Sequence, residues 1–175
     1  MNILLGVTGS VAAIKAPKLI TALREIGTVK IAPTESALKF NSLNESYLDL
    51  YTDKDEWEWK KIGDSVIHIE LRDWFDVFVI APLTAKTMAK MSHGICDNLL
   101  TTIWMASPGK KVLVAPAMNT QMWNHPITIK NVISLMDLGV KFVSPIEKKL
   151  ACGETGIGAM AEIKDIVSMT KLLIS

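Results

Sequence analysis

The sequence predicts an α/β protein built as one domain, a doubly wound parallel sheet with helices on both faces in three layers. Five short apolar runs alternate with stretches of helical periodicity, which is the pattern of buried parallel strands and their crossover helices. The 175 residues are 49% hydrophobic and 21% charged, enough to bury one full core. No linker, repeat or low-complexity tract interrupts them, so we assign the range 1–175 to a single domain.

The chain opens with the order strand, small-residue turn and helix. Asn2–Val7 predicts the first strand, and Val11–Ile26 predicts a helix after it. Between them, Gly9 and Ser10 form a turn whose backbone N–H groups and hydroxyl can bind a phosphate at a helix N-terminus. Such turns also occur for steric reasons alone, so both interpretations stay open at this point.

The second strand is predicted over Val29–Ala32, and Thr34 is a natural N-cap for a short helix that ends near Phe40. The hydroxyls of Thr34 and Ser36 can face the same phosphate as the first turn, because a helix N-terminus supports capping and anion binding together. Asn41–Asp64 is polar and irregular, which predicts a long loop with broken helical pieces.

The third strand is predicted over Val77–Ala81, and Pro82 follows it with small polar residues. Before this strand, His68 stands just ahead of a predicted helical turn, where a lone histidine between apolar neighbours is more often packed than catalytic. Further helices are predicted over Met88–His93, from Asp97 to about Met105, over Ile127–Leu138 and over Asp165–Leu173.

Lys111–Trp123 carries the fourth strand, which must stop at Pro116 because proline cannot donate to the sheet. Asn119 then lies at the carboxyl edge of the sheet, where it can bind a ligand or cap the next helix, and the motif alone favours the cap. The fifth strand is predicted over Val140–Val143, and the glycine-rich Pro145–Ile157 is predicted to be a loop and not a packed element.

The composition argues against several classes of protein. A net charge of +1 with dispersed basic residues leaves no footprint for nucleic acid, and no apolar run is long enough to span a membrane. The start lacks the pattern of a signal peptide, so we expect a cytoplasmic protein with reduced thiols. Cys96 and Cys152 show no metal-ligand spacing, and the apolar context of Cys96 predicts a buried structural thiol.

Taken together, the motifs resemble those of the flavin-containing cysteine decarboxylases, over almost the whole chain. The resemblance implies a Rossmann-like (flavodoxin-like) fold, FMN as cofactor and a homotrimer with sites at the subunit interfaces. The resemblance is strongest to the family members that act in coenzyme A synthesis, which implies decarboxylation of 4′-phosphopantothenoylcysteine to 4′-phosphopantetheine. The matching segments are GSVAAIK at Gly9–Lys15, HIELRDW at His68–Trp74, CDNLLT at Cys96–Thr101, APAMNTQMW at Ala115–Trp123 and LACGETGIGAMAE at Leu150–Glu162.

The resemblance also implies a role for each matching residue. His68 is the base of an oxidative step that forms a thioaldehyde, and Cys152 is the proton donor when the enethiol is reduced again by the same flavin. Asn119 binds the substrate carboxylate, with Lys149 and Ala151 helping to enclose it. The FMN phosphate is held by Gly9, Ser10, Val11, Thr34, Glu35 and Ser36, and the flavin ring is lined by Thr84, Ala85, Lys86, Thr87 and Ala117.

Two positions depart from the family's Ser-Ala-Asn-Thr segment. Thr84 keeps the hydroxyl of the serine, whereas Lys86 replaces the asparagine amide with a long cation. We hypothesise that Lys86 faces the flavin or the trimer interface and favours an anionic reduced flavin. Two other functions stay open: a flavin-binding regulatory subunit, as a phosphatase inhibitor or mixed-trimer partner, and a decarboxylase of peptides that end in cysteine. The presence of His68, Asn119 and Cys152 together favours the enzyme.

Overall fold

The apolar runs form a five-stranded parallel sheet, and its central strands are buried between two layers of helices. The computed structural model describes residues 1–40, 42–43 and 47–174. All seven side chains of the third strand are buried, which is expected for a central strand covered on both faces. The strands are β1 (Asn2–Val7), β2 (Thr28–Pro33), β3 (Val77–Leu83), β4 (Lys111–Pro116) and β5 (Lys141–Phe142).

The strand order is β2-β1-β3-β4-β5, and every pairing in this sheet is parallel. The chain therefore reverses direction across the sheet between β1 and β3, and ligands bind at such a switch point beyond the carboxyl ends of the strands. This order confirms the predicted flavodoxin-like architecture.

Helices cover the sheet from both sides and divide the core into two clusters. One cluster packs Leu5 and Leu19 with Ile166, and the other packs Phe78 with Met88. The helices are a 3₁₀ turn (Val11–Lys15), α1 (Ala16–Arg24), α2 (Glu35–Leu38), α3 (Asp53–Glu56), α4 (Ile67–Trp74), α5 (Ala85–His93), α6 (Leu99–Met105), α7 (Thr120–Trp123), α8 (Pro126–Asp137) and α9 (Ile163–Ile174). No helix in residues 1–40, 42–43 and 47–174 is long and apolar enough to cross a membrane.

The predicted first helix divides into the 3₁₀ turn and α1. Pro17 therefore lies at the second position of α1, where its missing N–H has no intrahelical partner to lose. The third strand runs two residues further than predicted, through the cis Ala81–Pro82 peptide to Leu83. The fifth strand is shorter than predicted and keeps only Lys141–Phe142.

The predicted loop over Pro145–Ile157 is wrong, because this stretch belongs to an antiparallel hairpin of β6 (Ile146–Lys149) and β7 (Thr155–Ala159). We call Ile146–Ala159 the flap. Glycine normally disfavours a strand, so the composition pointed to a loop. In the structure glycine lets the backbone of the flap lie close to the backbone after β4, since a Cβ on Gly158 would overlap the carbonyl oxygen of Met118.

The irregular stretch after β2 is a loop that contains α3 and an isolated bridge between Ile31 and Leu50. This agrees with the predicted loop with helical pieces, although positions 41 and 44–46 lie outside the described residues. His68 lies within the first turn of α4 and not ahead of it.

Candidate active site

Two turns touch each other at the carboxyl ends of β1 and β2. A Cβ added to Gly9 would lie 2.6 Å from the Cβ of Ser36 and 3.0 Å from its carbonyl carbon, so only glycine permits this contact. The Thr34 N–H donates to the carbonyl oxygen of Val7 at 2.9 Å, and the Thr34 and Ser36 hydroxyls lie 3.1 Å apart. Ser10 accepts a hydrogen bond from the backbone N–H of Ala12 at 3.2 Å.

The ends of β3 and β4 join the same edge through Thr8, which is buried. Its hydroxyl donates to the carbonyl oxygen of Pro82 at 2.8 Å and accepts from the N–H of Thr84 at 2.9 Å. The N–H of Ala117 donates to the carbonyl oxygen of Leu83 at 2.9 Å. We call the combined set the cradle, which consists of Thr8–Val11, Thr34–Ser36, Thr84–Thr87 and Ala117.

The cradle fits a bound phosphate and an adjoining planar group. Glycine at position 9 brings hydroxyls and backbone N–H groups from two turns together, which is how proteins bind phosphates without a metal. Lys86 is exposed in the first turn of α5, and Thr84 caps that helix by accepting the N–H of Thr87 at 3.3 Å. In the part of the chain that the structure describes, no cluster of three His, Cys, Asp or Glu side chains could hold a metal ion.

Asn119 caps α7 and faces the flap at the same time. Its Oδ1 accepts the N–H of Gln121 at 2.8 Å, which is the capping bond. Its Nδ2 donates to the carboxylate of Glu154 at 3.3 Å and lies 3.5 Å from the sulfur of Cys152. Because the amide offers both a donor and an acceptor, the two interpretations of Asn119 do not exclude each other.

A cavity of about 530 Å³ separates the flap from the first turn of the cradle. It brings together seven of the side chains that the resemblance singled out, so the tertiary structure assembles this part of the predicted set. The seven are Ser10, Val11, Ala117, Asn119, Lys149, Ala151 and Cys152.

The flap is anchored by its second strand and exposed at its tip. The N–H of Met118 donates to the carbonyl oxygen of Gly158 at 3.0 Å, and a Cβ on Gly156 would lie 3.2 Å from the Cγ2 of Thr120. The tip carries Cys152, an exposed and free thiol that lies 3.7 Å from the carboxylate of Glu154. This arrangement presents the thiol to the cavity on a segment with little buried surface.

Two lysines of the flap have different surroundings. Lys148 forms an ion pair with Glu162, and this hydrogen bond, together with the lysine's charge, lowers the pKa of the Glu162 carboxyl. Lys149 is exposed and lines the cavity, so its ammonium group is available to an anionic ligand there.

His68 lies outside this cavity, on α4, and is paired with a carboxylate of α3. Its Nδ1 is hydrogen-bonded to Glu56, and its backbone N–H donates to the other oxygen of the same carboxylate at 3.1 Å. The side chains of both residues are largely buried, at 22% and 18% exposure. Within one described chain, His68 and Cys152 therefore do not line the same cavity.

Cys96 is exposed, so the prediction of a buried structural thiol is wrong. Partial burial and then the negative charge of Asp97 raise the pKa of this thiol. Sequence reasoning also missed Thr8, Glu56 and Glu154. Thr8 had a signal, since it adjoins the first turn, whereas Glu56 stands among many acidic residues of an irregular loop and had none.

Comparison with known proteins decides the family. The protein-family model described as Flavoprotein matches residues 1–175 of the chain. The chain belongs to the flavoprotein family. This confirms the flavin-containing family that the motifs predicted.

Relatives of this flavoprotein carry names that agree with the resemblance. A probable phosphopantothenoylcysteine decarboxylase of Arabidopsis thaliana is 51% identical over 176 residues, covering 98% of this chain and 87% of the relative. A solved structure of a PPC decarboxylase, a cysteine-to-serine variant complexed with pantothenoylaminoethenethiol, has a TM-score of 0.93 at 50% identity and covers 98% of this chain and 96% of its own. The FMN binding protein AtHal3 has a TM-score of 0.88 at 50% identity, with coverage of 98% and 95%.

Proposed function

We propose that this flavoprotein uses FMN to decarboxylate 4′-phosphopantothenoylcysteine to 4′-phosphopantetheine. The observation that carries the proposal is the cavity that joins Ser10 and Val11 of the cradle to Asn119 and Cys152. A small-residue turn, an amide donor and a thiol line this one space, which supports the proposal. The names and bound ligand of the relatives support the same chemistry.

FMN would be held by the cradle. Gly9–Val11 and Thr34–Ser36 supply N–H groups and hydroxyls for the phosphate, while Thr84–Thr87 and Ala117 line the flavin ring. When bound, FMN supplies a reversible acceptor for a hydride equivalent, which a saturated carbon next to a carboxylate otherwise lacks.

The substrate would lie between the flap and Asn119. The Nδ2 of Asn119 already donates to the carboxylate of Glu154 at 3.3 Å, and it would donate in the same way to the substrate carboxylate. Lys149 adds a positive charge at the cavity, and Ala151 closes the space beside it. These groups orient the carboxylate and do not perform the chemistry.

Two side chains would move protons. Nε2 of His68 accepts the thiol proton as the cysteine end of the substrate is oxidised to a thioaldehyde. After carbon dioxide is lost, the thiol of Cys152 donates a proton as the enethiolate is reduced again. A thiol has one S–H proton to donate, and this one lines the cavity, so it can serve as the acid.

A homotrimer would bring these two groups together, because in one chain His68 lies outside the cavity that Cys152 lines. We propose a cytoplasmic homotrimer in which His68 of one subunit completes the cavity of its neighbour. Trp57 and Ile14 are among the apolar side chains that one chain leaves exposed, and an assembly would bury part of this surface.

The test is incubation of the purified protein with 4′-phosphopantothenoylcysteine, with carbon dioxide and product mass as readouts. We expect decarboxylation by the wild type and no oxidation by His68→Asn. Cys152→Ser should release carbon dioxide but form fully reduced product at least about 100-fold more slowly, as expected when a proton donor is lost. Cys96→Ser is the matched control, because it removes the other exposed thiol and should leave the rate unchanged.

Three results would contradict the proposal. Wild-type product formation by Cys152→Ser would remove its assigned role. Flavin binding without decarboxylation would favour the regulatory subunit. Turnover of only a peptide that ends in cysteine, run in parallel, would favour the peptidyl-cysteine decarboxylase.

Mixed assemblies test the shared site. Trimers formed from His68→Asn and Cys152→Ser chains contain some interfaces where His68 of one chain meets Cys152 of the other, so activity should reappear on mixing. No activity after mixing, with trimers confirmed by native mass spectrometry, would contradict a site shared between subunits.

A further inference from the structure

The carboxylate of Glu56 binds one residue twice. One oxygen is hydrogen-bonded to Nδ1 of His68, and the other accepts the backbone N–H of His68 at 3.1 Å. The backbone N–H belongs to the first turn of α4, where helical N–H groups lack intrahelical partners and the helix dipole favours an anion. The carboxylate is thus fixed by the helix while it fixes the ring.

The helix that supplies Glu56 is itself held at both ends. Thr52 caps α3 in a capping box, with its hydroxyl 2.8 Å from the carboxylate of Asp55 and accepting the N–H of Lys54 at 3.3 Å. Asp53 accepts the N–H of Leu99 at 2.7 Å, at the start of α6. The four-residue α3 therefore joins the starts of α4 and α6 through two carboxylates.

We infer that Glu56 is a positioning residue that sets the tautomer and orientation of His68. A carboxylate only accepts hydrogen bonds, so Nδ1 of the neutral ring must carry the proton. Nε2 is then left with its lone pair, and the largely buried pair restricts rotation of the ring. Neither the comparisons nor the family motif assigns a role to this glutamate.

The inference rests on the proposed function for its catalytic consequence. In the oxidative step, Nε2 of His68 would accept the proton of the substrate S–H bond as the C=S bond forms, and FMN held by the cradle would supply the acceptor for the hydride equivalent from the adjacent carbon. The Nδ1 proton stays on the ring, and the Glu56 carboxylate stabilises the imidazolium that results. Glu56 thus acts through His68 and does not touch the substrate.

The test compares Glu56→Gln with Asp53→Asn, a matched control that removes another carboxylate of α3, the one bonded to the start of α6. Long-range ¹H–¹⁵N NMR of the imidazole reports the tautomer directly, and His68→Asn identifies the signal among the three histidines. We expect the Nδ1–H tautomer in the wild type and in Asp53→Asn, and a shift toward Nε2–H in Glu56→Gln. Glu56→Asp keeps the charge and should recover much of the wild-type signal.

The kinetic expectation follows from the loss of ring orientation. Glu56→Gln should lower kcat of decarboxylation by about 10- to 100-fold, by analogy with the cost of removing the carboxylate that orients a metal-bound histidine. The KM should change much less, because Glu56 does not contact the substrate. Glu56→Asp should restore part of kcat, which a purely structural role in α3 would not predict.

The outcomes separate this inference from the proposed function. An Nε2–H tautomer in the wild type, or an unchanged tautomer and kcat in Glu56→Gln, would overturn the positioning role. An equal loss of kcat in Asp53→Asn would also overturn it, since the cause would then be a loosened α3. If the tautomer of His68 shifts in Glu56→Gln but the wild type never decarboxylates the substrate, the positioning role of Glu56 stands and the proposed function is refuted.

Discussion

The cradle lies at the ends of buried strands, whereas the flap is an exposed hairpin that covers the same cavity. Thr8 ties β1 to β3 with two hydrogen bonds at 2.8 and 2.9 Å, and it is fully buried. The flap presents Cys152 and Glu154 at an exposed tip. The cofactor side of the proposed site is therefore formed in advance by the core, while the substrate side depends on a few local contacts.

The same contrast appears in what glycine does in each region. Gly9 lets two turns of the cradle touch, and its neighbour Ser36 belongs to a segment held by the sheet. Gly158 lets the flap lie against the backbone of Met118, with a φ of +148° that side chains rarely adopt. A segment with few buried contacts opens at low free-energy cost, so the flap suits a closing motion over the substrate.

Gly9→Ala should have the largest effect and should act on the cradle alone. The added methyl group would overlap Ser36, and overpacking of this kind costs about 1–3 kcal/mol. That corresponds to a loss of FMN affinity of about 5- to 150-fold, measured by titration of flavin fluorescence. The double variant Gly9→Ala/Ser36→Gly should return to the affinity of Ser36→Gly alone. Wild-type affinity in Gly9→Ala would break the comparison.

Gly158→Ala should act on the flap and leave the cradle intact. A methyl group there would overlap the carbonyl oxygen of Met118 and displace β7, so kcat should fall by about 10-fold, equivalent to about 1.4 kcal/mol. FMN affinity should stay near the wild-type value. Gly153→Ala is the control, because its φ of +89° carries similar backbone strain but its added Cβ would meet no atom within 4 Å. Equal losses in both variants would show that strain, and not docking of the flap, is responsible.

Lys86→Asn should have the smallest effect, and its two readouts should move in opposite directions. A cation in the first turn of α5 opposes the helix dipole by about 0.3–1 kcal/mol, so its removal should raise the melting temperature of the flavin-free protein. If Lys86 faces the anionic flavin, FMN affinity should fall by about 2- to 5-fold. Lys164→Asn, at the second position of α9, is the matched control and should leave the affinity unchanged. If Lys86→Asn leaves the FMN affinity and the flavin redox potential unchanged, the hypothesis that Lys86 faces the flavin is contradicted.

Much of the fold was predictable, because strands β1 to β4 are apolar runs that end at a proline or a small-residue turn. The flap was not, since Gly156 and Gly158 make a poor strand by composition and are required only by the backbone they pack against. The partner of His68 was equally hidden. Glu56 is 12 residues away in an irregular acidic stretch, and nothing in its neighbours distinguishes it from Asp53 or Asp55.

The candidate site was also predictable in part only. The resemblance named Asn119 and Cys152, but the motifs could not say whether Asn119 caps its helix or faces the flap. The structure shows that it does both, because Oδ1 and Nδ2 of one amide point to different partners. The roles of these residues in catalysis stay predictions until the variants above are measured.

The parallel sheet, the position of the cradle at its carboxyl edge and the flavin-containing family could all be predicted from the sequence. These follow from periodicity and from short motifs, which are local properties of the chain. Three features could be found only in the folded chain: the flap is a hairpin, Cys96 is exposed, and His68 is bound to Glu56 away from the Cys152 cavity. Those features depend on which distant segments approach one another, and that approach is set by packing across the whole core, which no local pattern encodes.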